Sequence, residues 1–423
     1  MKTYIIKKVW FIVLFVALSV SWIYPQMPFT NMFSPNDIWL WKPYLTPSKW
    51  GFEAAYEHAF DSRAYQYATD EMGNSNCFRK RGDVLQLFED RQDLLAALKG
   101  DAFAAARTQL AQRYNLSGDD GTYGWFIPKA NIHIDQLLVS GRWCINGAFS
   151  LVASLPIVSY KLSDVAWFKA PGNHADGFDA SLNDDFVRDV AAVGGCNFFD
   201  YSASGVGDAT VQLCWAKSFP QAREILTNVS LNARLGILLP TGKKEDSKAL
   251  FAPGLGYGGG LGVPGGMQLR MQFGRYMHAG LDVDLLYCFG SSQVRKIKTD
   301  RSQTTLTLLD ARSTYQDPGL WQKFTLFVEG ARFCKGLLVR LGYQYLKQSE
   351  SRMYVDGLYT DPTLINMRED LDLWTVHSLM GMAAYDVIFD TVSFRLGVTA
   401  KWGFNGQRVI ACDTVAVQFG YDF

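Results

Sequence analysis

From Trp50 onward the chain alternates apolar and polar residues with a period of two over most of its length. Residues 413–423 show this most clearly: Val415, Val417, Phe419, Tyr421 and Phe423 fall on one face of an extended strand. Thr414, Ala416, Gln418, Gly420 and Asp422 fall on the other. Period two is the mark of a strand with two unlike faces. An aromatic stripe on the final residues fits a transmembrane barrel, where lipid meets one face of every strand and the lumen the other. A half-buried edge strand of a soluble sandwich would also explain this stretch, if it stood alone.

It has company. Trp50, Phe52, Ala54, Tyr56, His58 and Phe60 alternate with Gly51, Glu53, Ala55, Glu57 and Ala59. A hairpin follows, with Leu137, Val139, Trp143 and Ile145 facing out before the turn signal Asn146-Gly147. Phe149, Leu151, Leu155 and Ile157 face out on its return. The same phase recurs in strands beginning near 208, 228, 267, 279, 321, 337, 374 and 392. These stretches and the terminal strand make about twelve, an even number, as single-chain bacterial barrels require. The predicted fold is all-β, an antiparallel up-and-down transmembrane β-barrel, with a helical insertion in the first extracellular loop. Long connections follow strands 1, 3, 5, 7 and 9, a shorter one follows strand 11, and short ones follow the even-numbered strands. With both termini in the periplasm, the short turns are periplasmic.

Two stretches break the alternation. Over 84–114, Leu87, Leu94, Leu95, Leu98, Phe103 and Leu110 recur at helical spacing, with Gly100 as a break. This predicts one or two short helices within an insertion at 63–130, which either cap the barrel or fold into its lumen. The long extracellular loop at 162–207 carries a helical piece near 184–193. A third irregular run, 254–266, is rich in Gly. It lacks a Gly-Lys-Ser/Thr and a following helix, so it reads as a flexible loop or a kinked strand rather than a phosphate loop.

The N-terminus sets the compartment. Lys2, Lys7 and Lys8 precede an apolar run over 9–20, then Ala17, Ser19 and Ser21. This is the order of a secretory signal peptide, over 1–21. The run is short for a membrane anchor. A periplasmic segment, 22–47, leads into the barrel at 48–423. No Cys precedes Cys77, which excludes a lipoprotein cleavage site. The expected location is the outer membrane, with lipid and the barrel-assembly machinery as partners and Tyr421 and Phe423 as the assembly signal.

Acids and bases balance at 41 each, which argues against nucleic-acid binding. Seven Cys is an odd number for an oxidising compartment. Cys144 and Cys214 would lie two strand spacings apart, about 10 Å, too far for a disulfide. Cys77 and Cys196 pair or remain free thiols.

The inward phase carries charge. Glu53 and Glu57 belong to the first strand, Arg142 to the second, Arg234 to the fifth and Arg270 to the sixth. Asp282 and Asp284 follow on the seventh, Glu329 on the eighth, Arg340 on the ninth, and Arg395 and Lys401 on the eleventh. These are the expected pore-lining residues. Arg234, Arg270, Asp282 and Asp284 should form one lateral charge ladder. His58 is the main polar exception on the outer face.

Gly-Val-Gly-Asp-Ala-Thr-Val at 205–211 and Leu-Gly-Ile-Leu-Leu-Pro-Thr-Gly at 235–242 resemble the Gly-x-Gly-Asp and Leu-Pro-Thr-Gly signatures of an outer-membrane barrel family. That family is named for the meta-pathway of phenol degradation and is similar to small-molecule and fatty-acid transport barrels. The resemblance covers about 40 residues and implies a small-molecule transport barrel. The helical insertion departs from it, so no substrate class is carried over.

Two functional readings stand. Twelve strands leave a narrow pore, between the filled interior of eight and the wide channel of sixteen, which suits a passive channel for small solutes. The alternative is a structural or adhesive surface barrel with a closed lumen. An enzyme is disfavoured. No Ser with a supporting carboxylate accompanies His58. His278, Asp282 and Asp284 share one strand face, where i and i+4 lie about 13 Å apart, too far to share a metal. No catalytic residue, metal or cofactor is expected.

Overall fold

The computed structural model describes residues 49–66, 81–99, 101–114, 124–170, 184–331, 336–355, 361–389 and 392–423. The expected signal peptide, the 22–47 segment and Cys77 lie outside them.

Twelve antiparallel strands close into a barrel. They are β1 (Trp50–Tyr65), β2 (Trp125–Cys144), β3 (Phe149–Lys169), β4 (Ala209–Pro220), β5 (Leu226–Leu239) and β6 (Gly262–Phe273). β7 (Met277–Cys288), β8 (Leu320–Ala331), β9 (Leu337–Gln348), β10 (Trp374–Phe389), β11 (Val392–Gln407) and β12 (Val409–Asp422) complete it. Each pairs with its neighbours in sequence, and β1 pairs with both β2 and β12. Closure leaves the barrel without a free edge, which a sheet surrounded by lipid needs. At the seam, Trp50 and Phe423 exchange both backbone hydrogen bonds at 3.0 Å.

The two faces divide as the alternation predicts. Outward, Phe52, Leu213, Met267, Leu326, Leu341 and Val398 are exposed. Aromatic pairs mark both ends of this apolar wall. Trp50 stacks on Trp143 and Tyr421 on Phe423 at the terminal end. Tyr345 meets His377, and Tyr287 meets Phe289, at the loop end. Such girdles belong at the two lipid–water boundaries.

Several strands outrun their predicted ends. β1 continues to Tyr65 through a bulge between Phe60 and Arg63, and β11 extends to Gln407. β2 and β3, of 20 and 21 residues, are longer than the roughly 10 residues that cross a bilayer, and so extend past the apolar band. Their upper inner walls carry Phe126, Ile132, Tyr160 and Leu162, all buried. Val84, Leu85, Leu94 and Leu98 of the first insertion pack there, with Phe186 and Val190 of the helix Asp184–Gly194. Among its described residues, the first insertion therefore caps the loop end from within. Its described residues include the α-helix Ala104–Arg113.

The outer face carries a charge not singled out from the sequence. Asp135 shares the phase of Leu137 and is fully buried. The Tyr56 hydroxyl donates to its Oδ1, and His58 Nδ1 lies 2.6 Å from the same atom. His58, the expected exception, thus partners a second one. Cross-strand register explains the trio, since His58 faces Asp135 directly.

Candidate pore and its constriction

The expected pore residues all lie on the inward phase, and they are ion-paired. Arg234 reaches from β5 over β6 to β7, where its Nε lies 2.8 Å from Asp284 Oδ1 and its Nη2 donates to Asp282. Gly266 of β6 makes room: a Cβ there would sit 2.6 Å from Asp284 Oδ1 and 2.8 Å from Arg234 Nε. Lys323 of β8, directly across from Asp284 in the sheet, closes the group at 3.0 Å.

Arg270 does not join this group. It donates to Glu329 of β8, whose other oxygen lies 2.5 Å from Arg340 Nη2. Gly280, the β7 residue opposite Arg270, leaves that space to the Phe327 ring, and Arg340 stacks over the same ring at 4.8 Å. The expected single ladder is therefore two clusters. The bare Gly266 lets Arg234 pass over its nearest neighbour, whereas at Gly280 the space is taken by the Phe327 ring. Lys323 was missed because β8 has the weakest alternation of the set.

Across the lumen, Arg395 Nε lies 2.7 Å from Asp386 and its Nη1 3.9 Å from Glu53. Arg142 pairs with Asp422 at 2.5 Å, and Lys401 with Glu57 at 3.8 Å. The groups differ in access to water. The Asp284 side chain is 28% exposed although it lies inside the barrel, whereas that of Glu329 has no exposed surface. Tyr421 and Phe423 face outward at the seam.

Beside the Arg234 cluster is a cavity of about 150 Å³. Arg234, Asp282, Asp284 and Lys323 line it, with Tyr257, Leu286, Trp321 and Leu346 at its loop-end side. Those last residues belong to an apolar ring with Tyr65, Leu238, Cys288, Trp374 and Val409. Tyr257 meets Trp321 edge-on at 5.0 Å, and Trp321 meets Trp374 edge-on at 5.2 Å. Trp374 Nε1 donates to Gln348 Oε1 at 2.6 Å. The Trp321 indole N–H has no acceptor among the described residues.

Tyr257 comes from the Gly-rich run, whose first part packs inside the mouth with Leu255 fully buried and whose last residues, from Gly262, already belong to β6. The two family-like motifs meet at this segment. Asp208 Oδ1 accepts from the Gly242 backbone N–H at 2.8 Å, and its Oδ2 from that of Tyr257 at 2.6 Å. Thr241 Oγ1 donates to the Gly207 carbonyl at 2.8 Å and accepts from the Ala209 N–H at 2.9 Å. Alternation could place Asp208 in the lumen, but it could not reveal that two distant stretches share one carboxylate.

Outside the membrane-spanning strands, the loops carry their own charges. Burial, then the nearby Glu89 carboxylate, pushes Glu369 up to about 7, against opposing Arg408 and Lys298 and with a smaller upward push from Asp372. Glu89 itself ties the first insertion to Thr305, accepting from its backbone N–H at 3.0 Å.

No protein-family model matches the chain, and no curated protein does either. Among solved structures, it is similar to an outer membrane channel from Pseudomonas putida F1, at TM-score 0.45 and 11% identity, covering 90% of this chain and 98% of that one. It is also similar to a Pseudomonas aeruginosa FadL homologue, at TM-score 0.27 and 10% identity over 89% of each chain. A variant of the TodX monoaromatic hydrocarbon channel matches at TM-score 0.30 and 8% identity, over 90% of this chain and 92% of that one.

Proposed function

We propose that this chain is an outer-membrane channel that passes small solutes passively through a narrow lumen. The observation that carries this reading is the cavity inside the barrel, bounded by Arg234, Asp282, Asp284 and Lys323. A packed interior would place apolar side chains at that depth. Here the charged groups retain partial exposure, as an aqueous path needs. In this reading the long connections face the cell exterior and Tyr421 and Phe423 guide assembly. The resemblance of the 205–211 and 235–242 motifs to the meta-pathway barrel family agrees with a transport role.

The full burial of Glu329 and near-full burial of Arg340 and Arg142 favours a second reading, a structural barrel braced by its ion pairs. Solute uptake into liposomes carrying the folded protein separates the two. The channel reading expects swelling or tracer entry that falls as solute size grows. Intact barrels that leave the liposomes as tight as protein-free ones would support the brace.

A further inference from the structure

Resting on the channel reading, we propose that Asp208 is the positioning residue of the lumen constriction: it holds the backbone of Tyr257 so that the ring lies against Trp321, and its release opens the apolar ring. The carboxylate is 1% exposed and spends one oxygen on each of two loop segments, Gly242 and Tyr257. Charge-assisted bonds of this kind are stronger than neutral ones.

The surrounding glycines are shaped to this carboxylate. A Cβ on Gly256 would lie 2.3 Å from Asp208 Oδ2, and one on Gly242 would lie 2.8 Å from Oδ1. A Cβ on Gly207 would lie 2.7 Å from the Leu255 carbonyl. Gly242 of the second motif and Gly256 of the Gly-rich run thus let backbone approach Asp208 closely, while Gly207 leaves room for the Leu255 carbonyl. From this anchor the contacts run on through Tyr257, Trp321 and Trp374 to Gln348 of β9. They link β4 to β8, β9 and β10 around the far side of the barrel. A second anchor lies past Tyr257, where Ser291 Oγ donates to the Gly258 carbonyl at 2.5 Å and Arg295 Nη2 to the same oxygen at 3.2 Å. The proposal assigns the hold on Tyr257 to Asp208 rather than to this pair.

Cys288 reports on the ring directly. It is fully buried within it and is a free thiol. Labelling of the folded, full-length protein with a small maleimide, read at the Cys288 peptide by mass spectrometry, measures how often the ring opens. Asp208→Ala removes both bonds and should speed Cys288 labelling about tenfold or more, the factor expected for losing at least one net charged hydrogen bond. Gly256→Ala, which crowds the loop off an intact Asp208, should do the same and serves if Asp208→Ala fails to fold. Tyr257→Ala should also speed labelling, and adding Asp208→Ala to it should change little.

Wild-type labelling rates at Cys288 in folded Asp208→Ala or Gly256→Ala would overturn the proposal. An equal acceleration at Cys144 and Cys412 would overturn it too, because the barrel would then have loosened generally. Conductance in planar bilayers, measured on the same samples, separates this idea from the channel reading. Faster Cys288 labelling without conductance in any variant would keep the anchor and sink the channel. Conduction by wild type with unchanged labelling in the variants would do the reverse.

Discussion

Gly266 shows how a single missing side chain organises the lumen. With no Cβ there, Arg234 crosses β6 and reaches both aspartates of β7. Gly266→Ala should force that pair apart, at a cost of about 1–3 kcal/mol from overpacking, seen as a lower melting midpoint of the folded barrel. Asp284→Ala should move the reversal potential towards anion preference, since Asp284 is the water-reached carboxylate of its cluster. Arg270→Ala should move it towards cations. Unchanged potentials with lost heat stability would mark both as braces. Arg340→Ala should be the more destabilising change, by about 3–5 kcal/mol, because it strips a partner from a buried carboxylate. Glu369 adds a pH dependence. Its folded value of about 7 lies above the ordinary 4.5, so its contribution is most favourable below pH 4.5 and is lost as pH rises through 7. Glu369→Gln should therefore raise the melting midpoint relative to wild type above pH 7, with the gap closing below about 4.5. A gap of constant size across that window would contradict the assignment. At this scale the facing of charges was legible from alternation. Their partners were not, because Arg234 and Arg270 each pair with a carboxylate two strands away rather than on the adjacent strand.

Among the elements, the existence of all twelve strands and the phase of most could be read from the sequence, but several ends could not. Three of the missed ends coincide with bulges, whereas β6 begins at Gly262, ahead of its expected start near 267, with no register shift there. β1 was expected to stop at Phe60, where the register shifts before Arg63. β11 runs on to Gln407, past the shift opposite His377 and Ser378. The upper part of β2 lies beyond the shift between Lys129 and Asn131. A bulge adds a residue and reverses the phase, so a period-two pattern ends there while the strand continues. The terminal strand has no such interruption after Asp413, and it seals the barrel. Deleting Phe423 should remove the paired hydrogen bonds to Trp50 and the stack on Tyr421. The yield of heat-modifiable barrel should fall sharply, and a normal yield would count against the terminal residues as the assembly signal.

For the whole molecule, the account joins three layers along the lumen: the packed first insertion at the loop end, the apolar ring beneath it, and the ion-paired belts below. Periodicity located the belts because they follow the strands. It could not locate the ring, since Tyr257 arrives from a Gly-rich segment without periodicity, and Trp321 and Trp374 sit at the first turns of their strands. The central claim is that this lumen is a path for small solutes narrowed by that ring. Single-channel recording in planar bilayers of wild type beside Tyr257→Ala tests it most directly. The account predicts small, weakly selective steps for wild type and larger steps for Tyr257→Ala. Folded, heat-modifiable barrels of both forms that pass no current would contradict it.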